Sequence, residues 1–177
     1  QRVCWKFAVF LDQFIIHQYF DNVEGKSVLE KLYPNVSTCE WGVQDEFTFN
    51  RIFQLLKEGN GKSQFVVGFT ISNHTPYETP KSYTQYPLVL TNDIKSRIKT
   101  SPEIAYNNLL AYQYANSCLG QFINDIRNSP FGENTIVVAT GDHTNLQLFE
   151  FSDKDLLKKY SVPLIIYAPA KYRKNQT

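Results

Sequence analysis

The run from Thr135 to Thr140 constrains the fold of this 177-residue chain more than any other segment. It is apolar and rich in Val, Ile and Thr, which is typical of a strand buried on both faces of a parallel sheet. Ligands of such α/β folds collect outside the carboxyl ends of the strands. Asp142 and His143 follow this strand after one glycine. The sequence therefore predicts a site at this edge of the sheet.

Further strands alternate with helices along the chain. Apolar runs predict strands over 14–20, 65–71 and 162–168, and apolar spacing predicts helices over 45–57, 104–127 and 153–159. Residues 5–11 have helix-like spacing, and the polar stretch over 22–39 is expected to be a surface excursion. This alternation predicts one α/β domain over residues 1–177, with a mainly parallel sheet flanked by helices.

Composition excludes several classes of partner. The chain has 18 basic and 17 acidic residues and a formal net charge of +1, so no charge footprint for nucleic acid or an anionic membrane is present. Three widely spaced cysteines, Cys4, Cys39 and Cys118, provide neither a disulfide framework nor a CxxC metal motif. The chain contains no Met, not even an initiator, which indicates a piece of a longer protein.

Asp142 and His143 are the first candidates for chemistry. A carboxylate and an imidazole suit Zn, Mn or Fe, and Mg or Ca when more oxygen ligands join them. The alternative is that Asp142 caps the following turn and His143 is an ordinary loop residue. Two ligands do not complete a site, so others must converge from elsewhere in the fold.

His74 is the second candidate, because it lies in the loop that follows the predicted strand over 65–71. It is suited to bind a metal, to act as a general acid or base, or to donate to a substrate oxyanion, unless it merely fills the loop. Trp5 and Trp41 are core or rim aromatics, or else they cover a substrate pocket. The chain has no GxSxG, GxGxxG or HExxH motif.

Four segments together resemble one family. They are Trp41-Gly-Val-Gln-Asp45-Glu, Phe69-Thr-Ile-Ser-Asn-His74-Thr-Pro-Tyr77, Asn134-Thr-Ile-Val-Val-Ala-Thr-Gly-Asp142-His143 and Tyr160-Ser-Val-Pro-Leu-Ile-Ile-Tyr-Ala-Pro169. Their order and separation resemble the lipoteichoic-acid-synthase-like branch of the alkaline phosphatase superfamily, which holds phosphoglycerol transferases and sulfatases.

The resemblance implies an incomplete alkaline-phosphatase-type α/β fold and a metal-dependent enzyme. Such enzymes transfer a phospho-alcohol head group from a lipid, or hydrolyse a phosphate or sulfate ester, with a divalent metal such as Mn, Zn, Mg or Ca. By matching positions, Asp142 and His143 are metal ligands, and His74 and Trp5 bind substrate. The resemblance also implies an extracytoplasmic position on a bacterial membrane, with the full-length protein anchored by an N-terminal segment.

Departures from the family pattern leave parts of the expected site unassigned. The family's nucleophile lies in an N-terminal half without a counterpart here, so no catalytic nucleophile is assigned and we expect the chain alone to be inactive. Phe7 stands where the family usually has an Arg, which leaves the identity of the head group open. The alternative is a non-catalytic relative that binds glycan or a protein partner through Trp5, Trp41 and Tyr77.

Overall fold

The computed structural model describes residues 2–5, 20–36, 38–39, 41–145 and 147–173, with only the backbone described for 2–5 and 38–39. The strands are β1 (Arg2–Trp5), β2 (Asn22–Glu24), β3 (Thr38–Cys39), β4 (Gly42–Val43), β5 (Phe65–Val67), β6 (Val137–Thr140) and β7 (Leu164–Tyr167). The α-helices are α1 (Lys26–Leu32), α2 (Asp45–Glu58), α3 (Asn92–Ser96), α4 (Pro102–Arg127) and α5 (Leu156–Tyr160), and short 3-10 helices lie at Gly132–Asn134, Asp153–Asp155 and Ala170–Tyr172.

Three strands form a parallel sheet in the order β2-β1-β5. Cys4 of β1 pairs with Val23 on one side and Val67 on the other. The parallel arrangement agrees with the predicted α/β fold. Trp5 ends a strand instead of opening a helix, so the helix prediction is wrong at that residue. The rest of that predicted helix and the predicted strand over 14–19 lie outside the described residues.

The core lies between the helices and the sheet. Leu29 of α1, Ile52 and Leu55 of α2, and Phe122 and Ile126 of α4 are all buried and pack in one cluster. The predicted helices over 45–57 and 104–127 are therefore confirmed, and each buries one face. The interpretation of 22–39 as a surface excursion was wrong, because the fully buried Leu29 anchors α1 in this core.

The start of α4 follows from local sequence signals. Ser101 is the N-cap, and its hydroxyl oxygen accepts a hydrogen bond from the Ile104 backbone N–H at 3.2 Å. Pro102 occupies the first turn, where its missing N–H costs nothing. Over the described ranges, no helix has the length and apolar character needed to cross a bilayer.

Strands β6 and β7 differ from the expectation in orientation and in burial. They pair antiparallel, with Val138 opposite Ile166. Val137 and Tyr167 pack against the core from one face, whereas Val138 and Ile166 on the other face are 59% and 61% exposed. The prediction of a strand buried on both faces over 135–140 was wrong for the described part of the chain, because only the face of β6 with Val137 packs against the core cluster.

Candidate metal and substrate site

Asp142 and His143 lie beyond the carboxyl end of β6, as the sequence predicts. The backbone N–H of His143 donates to Asp142 Oδ1 at 2.9 Å, and the two side chains are 88% and 79% exposed. His143 Nδ1 lies 3.0 Å from the Thr144 carbonyl oxygen. Because a carbonyl oxygen only accepts, Nδ1 is the donor, and the Nε2 lone pair of the neutral ring stays available as a ligand.

The free donor atoms of this pair have a separation that suits one metal ion. His143 Nε2 and Asp142 Oδ2 are 3.6 Å apart. Two ligands of a tetrahedral zinc ion with bonds of about 2.1 Å lie roughly 3.4 Å apart. Within the described ranges, however, no group of three or more His, Cys, Asp or Glu side chains is placed to hold a metal ion. The pair therefore fits part of a coordination sphere, and metal binding stays a prediction.

His74 lies in a tight turn after β5. Its N–H donates to the Ile71 carbonyl oxygen at 2.8 Å, and its own carbonyl oxygen accepts from the Tyr77 N–H at 2.9 Å. Its Nδ1 donates to the Thr75 carbonyl oxygen at 2.8 Å, so Nε2 is again the free ring atom. The ring contacts that of Trp41, with centroids 4.3 Å apart. The imidazole is exposed, but its orientation is held from two sides.

Asp45 supports this turn from inside the protein. It is fully buried at the start of α2, and its Oδ1 accepts hydrogen bonds from the Ile71 and Ser72 backbone N–H groups, both at 2.9 Å. The Asp45 N–H donates in return to Ser72 Oγ at 3.4 Å. Burial raises the pKa of the Asp45 carboxyl, although these hydrogen bonds act in the opposite direction. The sequence signals for this role were its position at a helix start and its place in the Trp41–Glu46 segment.

A side-chain hydrogen bond joins the two candidate loops. Asn145 Nδ2 donates to the Tyr77 hydroxyl oxygen at 2.6 Å. The hydroxyl of Thr144, next to His143, donates to the Lys159 backbone carbonyl oxygen at the end of α5. The structure thus connects the His74 loop to the Asp142–His143 loop, although these residues are far apart in sequence. Tyr77 was predicted only as a binding aromatic, and no role was predicted for Asn145.

The backbone of Trp5 ends β1, and its side chain lies outside the described residues. Trp41, predicted as a core or rim aromatic or as a cover of a substrate pocket, is half-buried against His74.

The α/β fold of the described residues is similar to the folds of solved structures in the alkaline phosphatase superfamily. The fold resembles a protein of this superfamily from Vibrio parahaemolyticus (TM-score 0.64, 23% identity, 96% of this chain and 38% of that one). It also resembles the lipoteichoic acid synthase LtaP of Listeria monocytogenes (TM-score 0.72, 19% identity, 97% and 44%). A third similar structure is the Streptococcus pyogenes phosphoglycerol transferase GacH in complex with sn-glycerol-1-phosphate (TM-score 0.58, 17% identity, 99% and 45%).

The chain belongs to the sulfatase family, whose sequence model matches residues 5–177. It is also 25% identical over 181 residues to the lipoteichoic acid synthase-like protein YvgJ of Bacillus subtilis strain 168. That match covers 95% of this chain but only 27% of the relative, so the chain spans about a quarter of that protein's length. The family and the alkaline-phosphatase-type fold agree with the resemblance drawn from the sequence.

Proposed function

We propose that residues 1–177 form part of an extracytoplasmic, metal-dependent enzyme. The enzyme transfers a phospho-alcohol head group from a lipid to an acceptor, or hydrolyses a phosphate or sulfate ester. The observation that carries this proposal is the pair of free donor atoms on Asp142 and His143, which are 3.6 Å apart on a loop tied to the His74 loop. Membership of the sulfatase family and similarity to a lipoteichoic acid synthase-like protein support the reaction class.

In this proposal Asp142 Oδ2 and His143 Nε2 hold a divalent metal such as Mn, Zn, Mg or Ca. When bound, such an ion neutralises charge on the substrate oxyanion and lowers the pKa of an attacking group. His74 contacts the substrate through Nε2, which accepts from a head-group hydroxyl when the ring is neutral and donates to a phosphate oxygen when it is protonated. Trp5 is proposed as a wall of the same pocket.

The remaining parts of the enzyme come from outside residues 1–177 in this proposal. A third metal ligand and a nucleophile are supplied by a further segment of the same protein. Among the described residues, the apolar face of β6 and β7 that includes Val138 and Ile166 is exposed, and this supports such a segment, because a contiguous exposed apolar patch normally marks a contact surface. The greater length of the matched proteins supports it as well. We therefore expect residues 1–177 alone to be inactive.

Metal titration by calorimetry tests the ligand assignment. We expect weak Mn²⁺ or Zn²⁺ binding to residues 1–177, lost in Asp142→Asn and in His143→Ala. Asp153→Asn is the matched control, because it removes another exposed carboxylate, at the start of a 3-10 helix, and leaves the site unchanged. Tight binding that survives Asp142→Ala would show that the ligands are elsewhere.

Turnover assays test the proposed division of the enzyme. Residues 1–177 should not hydrolyse bis-p-nitrophenyl phosphate or p-nitrophenyl sulfate in the presence of Mn²⁺ or Zn²⁺, and metal-dependent turnover would refute their inactivity. The coding sequence that precedes Gln1 provides a second test. A Thr or Ser at a strand-to-helix turn, together with an acidic metal ligand, supports the enzyme. Ala or Gly at that turn favours the alternative of a non-catalytic relative that binds glycan or a protein partner.

The extracytoplasmic position is proposed from the relative's name as lipoteichoic acid synthase-like. Protease treatment of intact bacterial cells tests it. An epitope inserted after Gly61, which lies in an exposed turn, should be cleaved without cell lysis. Protection of the epitope in intact cells, together with cleavage after lysis, would place the domain inside.

A further inference from the structure

A concave site lies between α2 and α4, and it shares no residue with the candidate metal and substrate site. The cavity has a volume of about 290 Å³. The lining residues recur about once per turn along both helices, for example at Glu46, Phe49 and Phe53 on α2. An apolar cavity of about 150 Å³ accepts benzene, so this cavity is large enough for one ring with a short chain. The proposed function uses none of its side chains.

The walls of the cavity are aromatic. Phe49 stacks on Phe122 with centroids 5.0 Å apart, and Tyr83 meets Tyr114 edge to face at 5.1 Å. Tyr83 is fixed in place, because its hydroxyl donates to Gln113 Oε1 at 3.0 Å. Aromatic rings provide apolar contact for a flat ligand and attract cations through their negative faces.

The charges that line the cavity are all negative. Glu46 and Asp125 are lining residues, and no Lys or Arg is among the described side chains that surround it. Glu46 is partly buried at the cavity wall, and this burial raises the pKa of its carboxyl. Burial also raises the pKa of the Cys118 thiol to about 12, so the thiol stays neutral. This environment disfavours a phosphate or sulfate and favours a cation.

Tyr114 adds a buried hydroxyl to the same wall. The residue is 2% exposed, and its hydroxyl interacts with the Cys118 thiol and with the Glu46 backbone. The interaction with Glu46 links α4 to α2 beside the cavity.

We propose that the cavity between α2 and α4 binds a small organic ammonium ion that carries an aromatic ring. The ring packs among Phe49, Tyr83 and Phe122, and the ammonium group lies beside Glu46 with Asp125 at the rim. The chemistry of this site is opposite to that of the candidate catalytic site, which takes an anionic ester.

Three probes of similar shape and different charge test the proposal on residues 1–177. They are 2-phenylethylammonium, neutral 2-phenylethanol and anionic 3-phenylpropionate, each titrated by two-dimensional NMR. We expect the cation to bind at least roughly tenfold more tightly than the neutral probe and the anion not to bind, because the lining carries carboxylates and aromatic rings. Shifts should concentrate on α2 and α4.

Two variants identify the carboxylate that is responsible for binding the cation. Glu46→Gln should weaken the affinity for the cation by roughly tenfold and leave the affinity for the neutral probe unchanged. Asp125→Asn, at an exposed position, should have a smaller effect in the same direction. Glu103→Gln is the matched control, since Glu103 also lies in the first turn of a helix but not in the cavity.

Several outcomes would overturn the proposal. They are equal affinity for the three probes, a preference for the anion, no binding of the cation at millimolar concentration, and cation affinity that Glu46→Gln leaves unchanged. Glu46→Gln should still bind metal as the wild type does. Failure of this proposal is therefore distinguishable from failure of the proposed function.

Discussion

Asn145 donates a hydrogen bond from Nδ2 to the Tyr77 hydroxyl oxygen at 2.6 Å, and this bond joins the His74 loop to the Asp142–His143 loop. Both side chains are partly buried, so the bond is shielded from full competition with water. The connection spans 68 residues of sequence. His74 is the proposed substrate-binding residue, and Asp142 and His143 are the proposed metal ligands. Their relative position therefore depends on a contact between two uncharged side chains.

Removal of this contact should weaken the connection between the loops. Tyr77→Phe and Asn145→Ala should each lower the free energy of unfolding by about 1 kcal/mol, the usual net value of a neutral hydrogen bond. The double variant should lose less than the sum of the two, because both changes remove the same bond. Urea unfolding measures the cycle, with Tyr86→Phe at an exposed ring as control. Strictly additive losses would show that the bond does not contribute in solution.

Asp45 should control the order of the His74 turn. Asp45→Ala removes the acceptor for the Ile71 and Ser72 N–H groups and should lower stability by about 2 kcal/mol or more. Asp45→Asn keeps an acceptor oxygen and should cost less. Hydrogen exchange at the two amides should accelerate strongly in the alanine variant. Asp153→Ala, at an exposed position, is the control. Unchanged exchange at Ile71 and Ser72 would contradict the supporting role of Asp45.

The same carboxyl should make stability depend on pH. Burial raises the pKa of Asp45 in the folded state above 3.8, so the folded protein binds this proton more tightly than the unfolded chain. The stabilising contribution is fully present below 3.8 and is lost as the pH rises through the folded pKa. Asp45→Asn does not titrate at this position. The stability of the wild type relative to this variant should therefore fall as the pH rises.

Urea unfolding of both proteins from about pH 3.5 to about pH 8 measures this difference. A relative stability that instead increases with pH would show that the hydrogen bonds from Ile71 and Ser72 outweigh burial.

The two faces of β6 should respond differently to a polar substitution. Val137 packs against the core, so Val137→Thr should cost about 1–2 kcal/mol by burying a hydroxyl. Val138 is 59% exposed in this chain, and Val138→Thr should change stability by no more than about 0.5 kcal/mol. Thermal unfolding of the two matched variants of residues 1–177 provides the comparison. Equal losses would mean that the second face is covered.

In a longer protein that includes the proposed covering segment, Val138→Thr should no longer leave the stability nearly unchanged. The paired measurement in both lengths of protein therefore tests the covering segment as well as the described surface.

Local sequence signals predicted much of the secondary structure. The apolar stripe through Ile52 predicted α2, and the Ser101–Pro102 start signal predicted α4, because capping and helical periodicity depend on neighbouring residues. Polar composition misled the interpretation of residues 22–39, since one apolar side chain, Leu29, was enough to anchor a helix in the core. Strand direction in β6 and β7 was not predictable from their composition, because apolar runs indicate burial and not pairing partners.

The sequence by itself determined the family, the two candidate loops and the donor types that Asp142, His143 and His74 provide, because these depend on residue identity and order. Only the tertiary structure decided that Tyr77 and Asn145 connect the loops, that Asp45 holds the His74 turn from a buried position, and that one face of β6 is exposed. These are contacts between residues distant in the chain, and their formation depends on how the helices and sheets pack around a shared core.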